Sequence, residues 1–159
     1  MKKLFWDTAE LDARAVSEFG LSTEVLMQNA ANALARTVQT MFKKSSKKRR
    51  KILGVIGSGN NGADVLAALR LLSGKFDCFA LLASDKQNET SKTELTRALK
   101  CGVNLISNLT KSGEFDCIID GIFGMKISPP FMRSKFLSTK FTPCSSVIQN
   151  RVISACVIG

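Results

Sequence analysis

Apolar residues along this chain follow two different rhythms. Leu11, Ala15, Val16 and Phe19 are spaced for one face of a helix over residues 8–19, with Thr8 placed to cap it and Gly20 to end it. A second helix is predicted from Ser22, with Glu24 close behind; Val25, Leu26, Ala30, Ala31, Leu34, Ala35, Val38, Met41 and Phe42 carry it forward, and its alanines favour close packing. Beyond residue 51 the pattern changes to short unbroken apolar runs: Ile52, Leu53, Val55 and Ile56, then residues 76–83 (FDCFALLA), 103–106 and 115–119 (FDCII). Runs of that length, bounded by turn residues, predict strands buried on both faces of a sheet. Helices are predicted between them, at residues 65–72 with Gly74 as the expected C-cap, and at residues 91–100 ending at Cys101 and Gly102. Strands alternating with helices argue for βαβ units and a parallel sheet.

The chain is organised around residues 51–64, KILGVIGSGNNGAD, a buried strand that breaks into a glycine-rich turn and opens a helix. Gly57, Gly59 and Gly62 remove side chains that would hold a ligand away from the backbone, and they permit positive φ. Asn60, Asn61 and Asp64 then lie at a strand-to-helix corner, where free N–H groups and the helix dipole favour anions. GSGNNG also fits the dinucleotide fingerprint, which has meaning only with a strand before it and a helix after it; both are predicted here. The alternative is a structural βα turn whose asparagines cap the helix. Asp120 closes a later strand and falls at the same sheet edge if both strands are parallel. Amide and carboxylate oxygens there suit a monovalent cation, Mg²⁺ or ribose hydroxyls. A turn cap is the competing role for Asp120.

At 159 residues, 45% apolar and 23% charged, one domain with a full core is expected. No run is long enough to span a membrane, and no secretory leader is evident, so a cytoplasmic protein is expected. Five cysteines without C-x-x-C spacing indicate reduced, mostly buried thiols rather than a disulfide framework or zinc site. The absence of histidine removes Ser-His and Cys-His triads and leaves proton transfer to Asp, Glu, Lys, Cys or water. The net charge of +10 is concentrated in residues 43–51, KKSSKKRRK; without its seven basic residues the balance is +3. That run reads as a solvated loop or as a patch for phosphate backbones, and it has no interleaved aromatic residues for base stacking.

Three ordered segments carry a family resemblance: LDARAVSEFGLSTEVLMQNAANALA, GSGNNGADVLAALRLL and FDCIIDGIFGMKIS. Together they resemble the LMENAG-type helix, GNNGGDG turn and DALFGTGL segment of the NAD(P)H-hydrate epimerase family, the YjeF N-terminal domain, over about residues 5–130. The resemblance implies a three-layer α/β/α Rossmann-like domain, usually a homodimer, that interconverts the R and S forms of hydrated NADH and NADPH. A separate ADP- or ATP-dependent dehydratase would then restore the cofactor. By motif position Asn60, Asn61, Gly62, Ala63 and Asp64 would lie against the dinucleotide, Asn61 and Asp120 would hold K⁺, and Gly124, Met125, Lys126, Ile127, Ser128, Pro129 and Pro130 would cover the ligand.

The chain also departs from the family pattern. Ala63 and Val65 stand where glycines are usual, which is expected to crowd the ligand, and Met125-Lys126 replaces Thr-Gly in the covering loop. The family continues to a strand ending in DIPSG, whose Asp is the expected acid/base group; here the sequence reads RVISACVIG, with Val157 near that position. The 39 residues after Asp120 contain no Asp or Glu and carry five basic residues. A truncated or frameshifted tail after Pro130 is therefore expected, with a sheet left incomplete at its C-terminal end. Asp64 or Asp120 then become the fallback proton-transfer groups. The alternative to an epimerase is a non-catalytic nucleotide- or RNA-binding scaffold of the same fold, or a nonfunctional fragment.

Overall fold

The computed structural model describes residues 8–44, 49–109, 114–122 and 152–154. Helices α1 (Thr8–Phe19) and α2 (Thr23–Phe42) run over the residues their periodicity predicts, although Thr8 is the first residue of α1 rather than its cap. Gly20 stops α1 by taking φ of 66°, which turns the Gly20 and Leu21 amides back onto the Val16 and Ala15 carbonyls at 3.1 and 3.2 Å. Ser22 starts α2, its hydroxyl accepting from the Val25 N–H at 3.3 Å.

Strand β1 (Lys51–Ile56) leads into α3 (Asn60–Leu72), β2 (Asp77–Leu82), α4 (Glu89–Lys100) and β3 (Asn104–Ile106). The chain then returns to the other side of β1 as β4 (Cys117–Gly121), and β5 (Val152–Ser154) pairs beyond it. The sheet order is β3-β2-β1-β4-β5 and every pair is parallel, as the strand–helix alternation predicts. Strand order reverses between β1 and β4, so the corner beyond their carboxyl ends is the topological switch point of the sheet.

Successive strand residues serve two cores. Ile52, Ile56, Cys78, Ala80, Cys117 and Ile119 pack with Leu34, Val38, Leu66, Leu69 and Leu72 from α2 and α3. Leu53, Val55, Leu81, Phe115 and Ile118 form a second buried cluster on the opposite face. Burial on both faces explains why the strands read as unbroken apolar runs rather than alternating ones. Among the described residues, α2, α3 and α4 contribute to the first of these clusters only; residues 123–130 of the covering segment and the tail around Val157 lie outside the described residues.

Several local expectations are corrected. The C-cap of α3 is Ser73 in right-handed helical geometry, and Gly74 takes no positive φ, so the last turn closes without a left-handed residue. Helix α4 starts two residues earlier than its periodicity indicates because Asn88 caps it, the Asn88 Oδ1 accepting from the Ser91 N–H at 2.8 Å. Phe76, Ala83, Val103 and Phe115 fall just outside their strands, whereas Asp120 and Gly121 lie within β4.

Two polar features hold the frame. The Glu94 carboxylate is fully buried between Arg70 Nε at 3.4 Å and Arg97 Nη1 at 2.6 Å; Arg70 also donates to Gln28 Oε1 at 2.8 Å. This cluster ties α2, α3 and α4 together, and it escaped the sequence reading because Glu94 sits in a helix rich in charged residues. At the amino-terminal edge of the sheet, Arg50 bonds Asp116 at 2.7 Å and Arg49 bonds Asp77 at 2.9 Å, while Asp116 Oδ2 also accepts from the Lys51 N–H at 3.0 Å.

Candidate functional site

The glycine turn works by close approach. Gly57 donates its N–H to the Gly121 carbonyl at 3.1 Å, and a Cβ on Gly57 would stand 2.5 Å from the Ile122 oxygen and 2.6 Å from the Gly121 oxygen. A Cβ on Gly62 would strike the Gly57 carbonyl, and one on Gly121 would come 2.9 Å from the Asn61 carbonyl. Within the sheet, a Cβ on Gly54 would stand 2.7 Å from both Val65 and Leu69, so α3 lies directly on β1. The positive φ expected of Gly57, Gly59 and Gly62 is not found; among the described residues only Gly20 and Gly102 adopt it. Space, not backbone handedness, requires glycine at positions 57 and 62.

Gly59 is the N-cap of α3, extended at φ −106° and ψ −163°, and it supplies no side-chain cap. Asn60 and Asn61 are the first residues of α3 itself, so the capping role considered for them is replaced by positions on the first turn. Asn60 is exposed, and its Oδ1 accepts from Asn88 Nδ2 at 2.9 Å. Gly62 and Ala63 are buried, and both direct their N–H groups to the Gly59 carbonyl, at 3.1 and 3.4 Å. Ala63 is fully buried.

Asp64 follows on the same helix. Burial first, and the Asp12 carboxylate second, push its carboxyl up to about 7 from 3.8. Asp120 pairs in register with Val55 at the end of β4, and its Oδ1 accepts from the Ile122 N–H at 2.9 Å. That bond is the turn-closing role anticipated for it, and it uses one of the two carboxylate oxygens. The Asn61 backbone carbonyl lies beside Gly121, the residue after Asp120. The donors of Asn61 and Asp120 are hard oxygens, which suit an alkali cation and do not suit a soft metal. Among the described residues no group of three or more His, Cys, Asp or Glu side chains could hold a metal ion.

Other candidate features lie elsewhere. Cys78 and Cys117 are buried, and burial pushes the Cys78 thiol up to about 12, far from a thiolate nucleophile; Cys101 is exposed. Cys144 and Cys156 lie outside the described residues. A depression of about 520 Å³ lined by Arg36, Gln39, Thr40, Phe42, Lys43 and Lys75 lies by the C-terminal end of α2, at the sheet edge opposite the glycine turn. No helix among the described residues is long and apolar enough to cross a membrane. Asn88 is the site residue that sequence reasoning missed; an Asn directly before Glu89, with a helical segment following, was a readable N-cap signal.

A parallel α/β sheet with a glycine turn packed against its switch point places this chain in the Rossmann-like class. The family model for the YjeF-related protein N-terminus matches residues 23–146, and the chain belongs to that family. It is 33% identical over 138 residues to the bifunctional NAD(P)H-hydrate repair enzyme Nnr of Helicobacter pylori, across 82% of this chain and 28% of that protein. It is 30% identical over 120 residues to the NAD(P)H-hydrate epimerase of Oenococcus oeni, across 74% of this chain and 56% of that protein. The chain thus spans from about a quarter to just over half of these relatives. The crystal structure of yeast ynu0 superposes with a TM-score of 0.78 at 23% identity, covering 98% of this chain and 70% of that one, which establishes likeness of fold.

Proposed function

We propose that this domain binds hydrated NADH and NADPH at the β1–α3 turn and interconverts their R and S forms in nicotinamide cofactor repair. The observation that carries the reading is the contact of Gly57 with the end of β4 and of Gly62 with Gly57, which sets the first turn of α3, with Asn60 and Asn61, beside the strand end that carries Asp120. The names of the relatives from Helicobacter pylori and Oenococcus oeni support the same substrate.

In this reading the first turn of α3 receives the anionic part of the dinucleotide, since helix N-termini favour negative charge. Asn61 and Asp120 hold a potassium ion, whose positive charge supplies electrostatic support to the anionic ligand. The seven residues from Gly124 to Pro130 cover it. Proton transfer falls to Asp64, because a carboxyl pushed up to about 7 has both protonation states populated near neutral pH. Asp120 is the weaker candidate, with one oxygen already committed to Ile122. The domain acts as a homodimer beside an ADP- or ATP-dependent dehydratase, in the cytoplasm. The RNA-scaffold alternative loses ground because Arg49 and Arg50, two cations of the basic run, are engaged by Asp77 and Asp116.

The test starts from one purified epimer of hydrated NADPH and follows the other above its spontaneous rate of appearance. Acceleration that falls by about 100-fold in Asp64→Asn is the expected result, in line with the usual weight of a general acid/base group. A folded wild-type chain that binds the dinucleotide without accelerating the exchange would overturn the catalytic reading and leave a binding domain.

A further inference from the structure

Asn88 lies outside every motif discussed above, yet three hydrogen bonds of the site converge on it. Its backbone N–H donates to the Ser58 carbonyl at 3.0 Å, its Oδ1 accepts from the Ser91 N–H at 2.8 Å, and its Nδ2 donates to Asn60 Oδ1 at 2.9 Å. The polarity of this chain is fixed at one end. A backbone N–H can only donate, so the Asn88 atom facing Ser91 must be the oxygen and the atom facing Asn60 must be the nitrogen. The Asn60 atom facing Asn88 is then its oxygen, which leaves the Asn60 NH₂ group directed away from Asn88 on an exposed residue.

We infer that Asn88 is a positioning residue for ligand recognition: it locks the Asn60 side chain so that the turn presents an amide donor, and so selects a ligand group that accepts hydrogen bonds. A phosphoryl or carboxamide oxygen meets that requirement; a hydroxyl acting as donor, or a cation needing the Asn60 oxygen, does not. The support behind Asn88 is itself rigid. Ser91 is fully buried and spends its hydroxyl on Gln87 Oε1 at 2.7 Å, and Gln87 Nε2 donates to the Ser84 carbonyl at 2.8 Å. The β2–α4 segment therefore holds Asn88 in place before any ligand arrives, and ordering Asn60 in advance lowers the entropy lost on binding.

The inference rests on the dinucleotide reading, and two variants separate it from a purely structural role. Asn88→Asp and Asn88→Ser each keep an oxygen to cap α4, a preference shared by Asn, Asp and Ser. Neither can hold the Asn60 oxygen: the aspartate has no hydrogen to give and draws the Asn60 NH₂ toward itself instead, and the serine is too short. NADPH affinity by calorimetry should fall by about tenfold in both, the scale of one lost hydrogen bond to a charged group, while Tm stays within a few degrees of wild type. In the ligand-free proteins, the ¹⁵N order parameter of the Asn60 side-chain amide should drop in Asn88→Ser, whereas in Asn88→Asp the amide stays held with its NH₂ turned toward the carboxylate. Unchanged order of that amide in Asn88→Ser would overturn the positioning role whatever the ligand result. Lost order with unchanged NADPH affinity would overturn the selection of the ligand. Failure of the wild type to bind NADPH would overturn both the dinucleotide reading and that selection, while the amide measurement still decides the positioning.

Discussion

The two edges of the sheet are built on opposite principles. At the amino-terminal edge, charged side chains close on one another: Arg50 with Asp116, Arg49 with Asp77, and Asp116 also with the Lys51 amide. At the carboxyl edge, backbone meets backbone, with Gly57 against Gly121 and Gly62 against Gly57. One edge spends its polar groups on stability. The other relies on the absence of side chains for its geometry and leaves its polar groups half-buried or exposed.

That contrast breaks most sharply at Gly57. Gly57→Ala places a methyl against two carbonyl oxygens of β4, which are backbone and cannot turn aside; a loss of about 3 kcal/mol in denaturant unfolding is expected. Asp116→Ala comes next at about 2 kcal/mol, because it strands the half-buried Arg50 and removes the acceptor of the Lys51 N–H.

Asp64 sharpens the comparison through pH. Its folded carboxyl lies near 7 against an ordinary 3.8, so the folded state holds the extra proton between those values. Its contribution to stability is fully present below about 4 and is lost as pH rises through about 7, at about 1.4 kcal/mol per pH unit at most. Asp64→Asn should flatten that slope and leave the variant more stable than wild type at pH 8, read from Tm against pH. Asp12→Asn should reduce the slope in part, since burial outweighs the Asp12 charge as its cause. Gly59→Ala gives the smallest effect. Nothing lies within 4 Å of the added methyl, and the φ of −106° suits alanine, so unfolding should change by less than about 0.5 kcal/mol.

The elements were legible in the sequence where hydrophobic period and end signals agree. Thr8–Phe19 with Gly20, and Ser22 before Thr23–Phe42, are cases of local physics, and the all-parallel sheet followed from unbroken apolar runs. The purpose of the glycines was only half legible. Their spacing marked the turn, but the reason for them is the carbonyls of Gly121 and Ile122, more than sixty positions later in the chain, which no local pattern reports. Asn88 and Glu94 were missed for the same reason. Each owes its role to partners brought in by folding: Asn60 and Ser58 for one, Arg70 of α3 for the other. The basic run was conspicuous in the sequence, yet two of its arginines are engaged by Asp77 and Asp116.

The central position of β1 has a consequence for how the chain acquires its fold. Lys51–Ile56 pairs on one side with β2, whose partners follow within about thirty residues, but on the other side with β4, whose ion pair Arg50–Asp116 spans 66 positions. During synthesis the β1-α3-β2-α4-β3 half can assemble as it emerges, while the second edge of β1 remains unpaired until residues near 121 have left the ribosome. Non-local pairing of this kind slows folding more than it weakens the final state. The corner where Gly57 meets Gly121 thus forms late, and the glycine turn takes its final shape only once the switch point has closed.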